Sequence, residues 1–187
     1  MVTGLIVHVP ASVGYWLVFL LVAGETAGAL VPGETALIVA ASLTGQGKLS
    51  LPLVWLCAAS GAILGDNIGY LIGARGLRLL VRRFGPEQVR RGESFFQRHG
   101  PKAVFFARWI PGLRLVGAWF AGAAHMPWRR FLPWNALGGM TWAASIALTA
   151  HAIGHAAGGV FASIGAALGI ALLLFASTVV ISRRLPR

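Results

Sequence analysis

Five ionisable side chains lie inside stretches of sequence that are otherwise apolar. They are three carboxylates and two guanidiniums: Glu25, Glu34, Asp66, Arg108 and Arg114. The chain has five acidic residues in total, so most of its carboxylates belong to this set. Burying an ionised group is costly unless the group is paired, hydrogen-bonded or exposed to a polar cavity. The sequence therefore predicts that these opposite charges meet in one polar cluster.

The two arginines flank a helix break in the run FFARWIPGLRLVG. Arg114 follows Pro111-Gly112 and falls at the start of a predicted half-helix, whose first backbone N–H groups have no intrahelical acceptor. Free amides and a planar guanidinium favour an anion, and phosphate suits the bidentate geometry of arginine. Arg108, Arg114 and the apex residue Gly112 are therefore the predicted phosphate-binding residues.

The carboxylates allow two interpretations. Glu34 directly follows Pro32-Gly33 in the run ALVPGETALIVAA, where the positive end of a helix dipole favours an acid. In one interpretation, Glu25, Glu34 and Asp66 are ion-pair partners that only hold helices together. In the other, they neutralise the arginines while the site is empty and carry protons during a functional cycle. The sequence leaves the titration of Glu25 and Glu34 open.

The composition is that of a membrane protein. Of the 187 residues, 57% are hydrophobic and 11% are charged, with a mean hydropathy of +0.74. Water-soluble domains are about 45–50% apolar and about 25% charged, so they could not hide this much apolar surface. The net charge of +11 is concentrated in residues 75–102 and in the pairs Arg129-Arg130 and Arg183-Arg184. Such clusters beside apolar runs are typical of cytoplasmic loops near anionic lipid, and we expect no nucleic-acid binding.

The sequence predicts an all-α polytopic membrane protein that forms a single membrane domain over residues 1–187. Residues 76–100 mix apolar residues with many arginines, which indicates interfacial amphipathic helices that break at Gly85-Pro86. A run of about 20 apolar residues is long enough to form a transmembrane helix. Four runs meet this length: residues 5–23, 51–74, 131–153 and 159–182.

Two further apolar stretches, residues 25–47 and 101–127, are each interrupted by Pro-Gly. Proline removes a backbone donor, and broken backbone is tolerated at membrane depth only inside protein or beside a watery cavity. We therefore predict two re-entrant helical hairpins with Pro-Gly apices. The basic clusters share one side of the membrane only if the second hairpin returns, which predicts a cytoplasmic C-terminus. By the same count the hairpins dip from opposite sides, the inverted-repeat plan of secondary transporters.

The remaining motifs indicate packing rather than chemistry. His151 and His155 share a helix face without an accompanying acidic motif, so we expect no metal. The chain has no GxSxG, HExxH or Walker motif, and we expect neither enzymatic activity nor a cofactor. A smooth helix face for close packing is predicted by glycines at every fourth position: Gly61, Gly65, Gly69 and Gly73.

Four pieces of the chain resemble the DedA family, also called the SNARE-associated or VTT-domain membrane proteins. They are ETAGALVPGETALIVAASLTGQG, GAILGDNIGYLIGARG, FFQRHGPKAVFFARWIPGLR and AGAAHMPWRRFLPWNALGGMTW, which run from about residue 25 to 142. The resemblance implies that the family's required acids correspond to Glu25 and Glu34, and its required arginines to Arg108 and Arg114. One departure is the run AWFAG at 118–122, where many members have a proline shortly before the Ala-Gly.

The resemblance implies a protein that moves lipids across membranes, since the family includes bacterial undecaprenyl-phosphate flippases, phospholipid translocases and eukaryotic lipid scramblases. We therefore expect a lipid-phosphate translocase of a bacterial inner membrane. Its expected partners are a lipid phosphate headgroup, the bilayer and, as a hypothesis, protons. Two alternatives stay open: a proton-coupled exporter of small soluble ions, and a membrane-organising protein whose ion pairs are structural. A homo-oligomer is compatible with the sequence.

Overall fold

The computed structural model describes residues 11–110 and 112–156. This part of the chain is all-helical and contains eight α-helices and no β-strand. The helices are α1 (Ala11–Thr26), α2 (Gly33–Gly45), α3 (Leu51–Arg75), α4 (Leu77–Phe84), α5 (Pro86–His99), α6 (Lys102–Ala107), α7 (Leu113–Ala123) and α8 (Trp128–Ala156).

Two of the described helices, α3 and α8, are long and apolar enough to cross a membrane. They match the runs predicted at 51–74 and 131–153. α3 begins with Leu51-Pro52, because proline suits the first helical turn, where an N–H has no intrahelical acceptor. The predicted run 159–182 and the first residues of the run 5–23 lie outside the described residues.

α1 extends further than the sequence predicts. It runs to Thr26, so the boundary that we predict at residue 25 falls inside a helix, and residues 25–31 do not form a separate half-helix. The hydroxyl of Thr26 donates to Val22 O at 2.9 Å and keeps the last turn closed. The first residue after α1 with a positive φ is Gly28, at +101°, and the chain turns away from the helix axis there. The first arm of the predicted hairpin is therefore α1 itself.

Each predicted Pro-Gly break does separate two helices. α2 begins at Gly33, directly after Pro32. α6 ends at Ala107, and α7 begins at Leu113, after Gly112 with φ at +82°. Pro111 lies outside the described residues. The interruption of the apolar runs at these places is confirmed.

The amphipathic segment forms two helices that separate at Gly85, as the sequence predicts. Gly85 has φ at +83°, a value that L side chains rarely adopt, and Pro86 opens α5. The apolar faces of α4 and α5 are buried at Leu80, Val89 and Phe96, while the arginines of α5 face outward. The location of these helices at a membrane surface stays a prediction.

The glycine face of α3 is confirmed as a close-packing surface. A Cβ atom at Gly61 would come within 2.6 Å of Phe19 O in α1. Further along α3, a Cβ at Gly69 would come within 2.6 Å of the Trp119 ring in α7. Small residues at these positions let backbones approach, so α3 is held between α1 and α7.

The helix packing brings the two helix breaks together. α2 packs along α8, and α7 packs along α3. One buried apolar cluster joins α1 and α2 to α3 and α8, and a second joins α7 to α3, α4, α5, α6 and α8. The turn between α1 and α2 therefore lies beside the start of α7, where charged residues from all three helices meet.

Candidate functional site

Arg114 forms an ion pair with two carboxylates at once. It is the second residue of α7, and its Nη2 donates to Glu25 Oε1 at 2.6 Å and to Glu34 Oε2 at 2.7 Å. Glu25 lies in the last turn of α1 and Glu34 in the first turn of α2. Short charge-assisted bonds of this kind are the stronger class of protein hydrogen bonds. Carboxylates from the first interrupted stretch thus meet an arginine from the second, as the sequence predicts.

Glu25 also caps the start of α2. The backbone N–H of Glu34 donates to Glu25 Oε2 at 2.7 Å, which satisfies one of the first-turn amides of that helix. Gly33 leaves the space for this contact, because a Cβ there would lie 2.6 Å from Glu25 Oε2 and 2.6 Å from Leu21 O. The glycine of the Pro-Gly pair is therefore explained by the close approach of α1.

We expect Gly33→Ala to destabilise the protein by about 1–3 kcal/mol, because the added methyl overlaps backbone atoms that cannot move aside. The measurement is thermal unfolding in detergent. The control is Gly14→Ala in α1, where the new Cβ would meet only Leu49 side-chain atoms at 3.8 Å. A Gly33→Ala protein that unfolds at the same temperature as the control would contradict this account of the site.

Arg108 forms a separate and deeper ion pair. Its side chain and that of Asp66 in α3 are each 6% exposed, and Arg108 Nη2 contacts Asp66 Oδ2 directly. Asn135 Oδ1 in α8 accepts from Arg108 Nη2 at 3.3 Å, and Asn135 Nδ2 donates to Ile63 O at 3.2 Å. Within the described residues, the other carboxylate oxygen, Asp66 Oδ1, is buried without a hydrogen-bond partner. The five ionisable residues thus form two adjacent ion-pair groups, rather than the one cluster that we predict from the sequence.

Trp142 in α8 joins the two groups. The Cζ atoms of Arg108 and Arg114 lie 5.8 Å and 5.3 Å from the centroid of its ring, within cation–π range. Sequence analysis missed both Trp142 and Asn135. Their signal is a buried face of α8 at helical spacing, formed by Asn135, Gly138, Gly139 and Trp142.

We expect Trp142→Leu to cost about 2–4 kcal/mol of stability, because it removes buried aromatic volume and two cation–π contacts. Trp142→Phe keeps an aromatic face and should cost less. Trp16→Leu is the control, since Trp16 is 65% exposed. Thermal unfolding in detergent measures all three, and equal losses for Leu and Phe at position 142 would contradict the cation–π role.

A pocket of about 340 Å³ opens beside the arginines and is lined by Glu34, Arg108, Gly112, Arg114 and Trp142, among others. Three of the five ionisable residues therefore border this pocket, and Glu25 and Asp66 do not line it. A second pocket, of about 210 Å³, reaches Glu25 and is otherwise lined mainly by apolar residues. Gly112 and Leu115 line both pockets, so the two adjoin at the start of α7.

The backbone amides at the start of α7 differ from the prediction. We expect free N–H groups there, but Arg114 N donates to Ile110 O at 3.1 Å and Leu115 N donates to Gly112 O at 3.3 Å. The turn before α7 closes on itself, because Gly112 adopts a positive φ and turns its carbonyl toward the next residues. Two amides of this turn are therefore already bonded, and the side-chain donors that line the pocket are the two guanidiniums.

Polar side chains of the long helices also bond away from the pocket. Asn67 Oδ1 in α3 accepts from Trp128 Nε1 in α8 at 2.7 Å. His151 Nδ1 is 2.7 Å from the Thr44 hydroxyl, which joins the ends of α8 and α2. Across residues 11–110 and 112–156, no group of three potential metal ligands comes together.

The fold and the site together define a helical membrane protein with buried ion pairs between broken helices. The family model described as the VTT domain matches residues 31–152, which include Glu34, Asp66, Arg108 and Arg114. The chain belongs to this family, the VTT-domain or DedA membrane proteins.

Three relatives are named as membrane proteins. The chain is 38% identical over 137 residues to the inner membrane protein YohD of Escherichia coli, covering 72% of this chain and 69% of YohD. It is 37% identical to membrane protein Rv2637 of Mycobacterium tuberculosis, covering 83% of this chain and 76% of the relative. It is 36% identical to membrane protein slr0232 of Synechocystis sp., covering 76% and 68%. No solved structure matches the chain.

Proposed function

We propose that this protein is a lipid-phosphate translocase of a bacterial inner membrane, and that it carries undecaprenyl phosphate or a phospholipid. The observation that carries the proposal is Arg114, which two carboxylates hold beside a pocket that Arg108 also lines. Membership of the VTT-domain family supports a transport-related role. The name of the YohD relative supports the inner membrane as its location.

The pockets favour a lipid over a small soluble ion. The pocket beside Arg108 and Arg114 presents charged side chains, whereas the adjoining pocket of about 210 Å³ is lined mainly by apolar residues such as Leu30 and Val116. Leu30 is 78% exposed, so the apolar pocket has an outward-facing apolar edge. A lipid would need both surfaces, the charged one for its phosphate headgroup and the apolar one for its tail. A small soluble ion would need only the charged one.

We further propose that α1–α2 and α6–α7 are re-entrant hairpins with a cytoplasmic C-terminus. α2 has 13 residues and α7 has 11, lengths of about 20 Å and about 17 Å, short of a hydrocarbon core of about 30 Å. Each follows a helix break, as a hairpin requires. The basic clusters at 75–102 and Arg129-Arg130 support placing both flanks of the second hairpin in the cytoplasm.

Reciprocal glycine contacts support an inverted repeat. Where α2 crosses α8, a Cβ at Gly45 would overlap His151 O, and a Cβ at Gly154 would overlap Ser42 O. Each helix thus places a glycine against a backbone carbonyl of the other helix. In both helices, the residue with the contacted carbonyl lies one turn before the glycine of that same helix.

The crossing of α7 and α3 repeats this arrangement. A Cβ at Gly122 would overlap Tyr70 O, and a Cβ at Gly73 would overlap Trp119 O. The spacing between glycine and contacted residue is the same as at the first crossing. The same pattern of glycine contacts at both helix crossings is expected when the two hairpins are related by a pseudo-twofold axis. Secondary transporters have such inverted repeats around a binding site near the membrane midplane.

In the proposed cycle, a phosphate replaces the carboxylates on Arg114. The empty site keeps Arg114 neutralised by Glu25 and Glu34. An incoming phosphate accepts the same guanidinium donors and draws on Arg108, while the two carboxylates lose their partner. Protonation of a released carboxylate would remove the repulsion between two adjacent anions, and this is the physical basis of the proton-coupling hypothesis.

Reconstitution tests the proposal. Proteoliposomes containing labelled undecaprenyl phosphate beside labelled phospholipid should show translocation of at least one lipid above protein-free vesicles. An imposed pH gradient should change the rate if protons are coupled, and no response would remove that hypothesis alone. Proteoliposomes that move neither lipid but release a trapped soluble anion would support the exporter alternative instead.

A further inference from the structure

The outward face of α5 carries a basic pocket that is separate from the ion-pair site. The side chains of Arg90 and Arg91 are 76% and 78% exposed. Within the described part of the chain, no carboxylate pairs with Arg98. The pocket has a volume of about 330 Å³ and is lined by Arg90, Arg91, Ser94, Phe95, Arg98 and His99.

An apolar groove continues from this basic pocket between α4, α5 and α7. It has a volume of about 400 Å³ and shares Arg91 and Phe95 with the basic pocket. Its other lining residues are Phe84, Gln88, Gly92, Phe96, Leu113 and Phe120. A basic surface and a groove lined by phenylalanine rings are thus continuous along α5. This arrangement complements a ligand that has an anionic group and an apolar tail.

The chain has few carboxylates that could neutralise the arginines of this pocket. It has five acidic residues, and three of them belong to the ion-pair site. Hydrogen bonds from Arg91 and Arg90 lower the pKa of Glu87, so this carboxylate is ionised at neutral pH and offsets one arginine charge. The C-terminal sequence SRRLPR is basic and does not complement the pocket. The remaining acid, Glu93, also lies in α5 but does not line the pocket, so the pocket keeps an excess of positive charge.

We propose that α5 and the groove beside it bind one anionic phospholipid. Its phosphate contacts Arg90, Arg91 and Arg98, and its acyl chains lie in the groove along Phe95 and Phe120. Basic clusters at a membrane surface favour anionic headgroups, and here the adjoining apolar groove adds a place for the chains. This binding site does not depend on the proposed transport, because none of its arginines contacts the ion-pair residues.

The groove also connects with the ion-pair site. Phe84 lines both the apolar groove and the pocket of about 210 Å³ that reaches Glu25. A lipid held at α5 therefore lies next to the apolar pocket beside Arg114. The bound phospholipid would therefore lie where it can contact the ion-pair site at Arg114 or move into it.

The test is titration of dioctanoyl phosphatidylglycerol onto the full-length protein in detergent, followed by calorimetry. Arg90→Gln/Arg98→Gln should weaken binding about tenfold, since each arginine near an anionic headgroup contributes appreciably. The matched control, Arg129→Gln/Arg130→Gln, removes two exposed charges elsewhere and should change the affinity less than about twofold. Circular dichroism checks that both variants are folded.

Two further variants separate the possible ligands and sites. Gln88→Trp places an indole in the groove and should weaken binding of the lipid but not of inorganic phosphate. The saturable component of binding that is lost in Arg90→Gln/Arg98→Gln should persist in Arg114→Gln, which removes only binding at the ion-pair site. Equal weakening by the two double-arginine variants, no effect of Gln88→Trp, or loss of that component in Arg114→Gln would each overturn the proposal.

Discussion

Arg114→Gln is expected to reduce lipid translocation in proteoliposomes by about 100-fold or more. The variant removes a guanidinium that would make two charge-assisted bonds to phosphate, each worth about 1.5–3 kcal/mol. It also leaves Glu25 and Glu34 adjacent to each other without their shared partner. Arg129→Gln, at an exposed position of α8, is the matched control and should transport at the wild-type rate.

A reversed pair distinguishes a phosphate site from a structural ion pair. Glu34→Arg/Arg114→Glu restores one attraction between α2 and α7 but moves the guanidinium off the start of α7. A structural pair would tolerate this exchange, whereas a phosphate site would not. We therefore expect a folded protein with transport as low as that of Arg114→Gln. Wild-type transport by the reversed variant would show that the ion pair is structural and that Arg114 does not hold the phosphate.

Asp66→Asn and Arg108→Met are each expected to destabilise the protein by about 3–5 kcal/mol, the cost of leaving a buried charge unpaired. Both side chains are 6% exposed, so water cannot replace the lost partner. Asp66 Oδ1 already lacks a hydrogen-bond partner in the described structure, which makes loss of the arginine especially costly. Chemical unfolding in mixed micelles measures the free energy of unfolding for each variant.

The double variant Asp66→Leu/Arg108→Met should lose less than the sum of the two single variants, because it buries no unpaired charge. We expect a coupling free energy of about 2 kcal/mol or more, within the range for directly contacting buried groups. Ser60→Ala is the control in the same helix, because its hydroxyl donates within α3 to Leu56 O and Cys57 O, and it should add to Arg108→Met without coupling. Additive losses for Asp66 and Arg108 would show that their contact does not stabilise the fold.

Local sequence signals predicted much of the fold. The helix breaks before Gly33, at Gly85 and before Leu113 follow from proline's missing donor and glycine's access to positive φ, which depend on one or two residues. The long helices α3 and α8 are predicted by the length of their apolar runs. The close-packing face of α3 is predicted by glycines at every fourth position. The end of α1 was harder to predict, because Thr26 bonds within its own helix and no breaker precedes it.

By itself, the sequence determined the membrane class, the five buried charges and the need for them to pair, since composition and the cost of burying charge do not depend on the fold. Only the tertiary structure decided which charges pair. It joined Arg114 to Glu25 and Glu34, joined Arg108 to Asp66, and placed Trp142 against both arginines. Partner choice depends on which helices become neighbours and how closely they approach, and for helices far apart in sequence only their packing sets this.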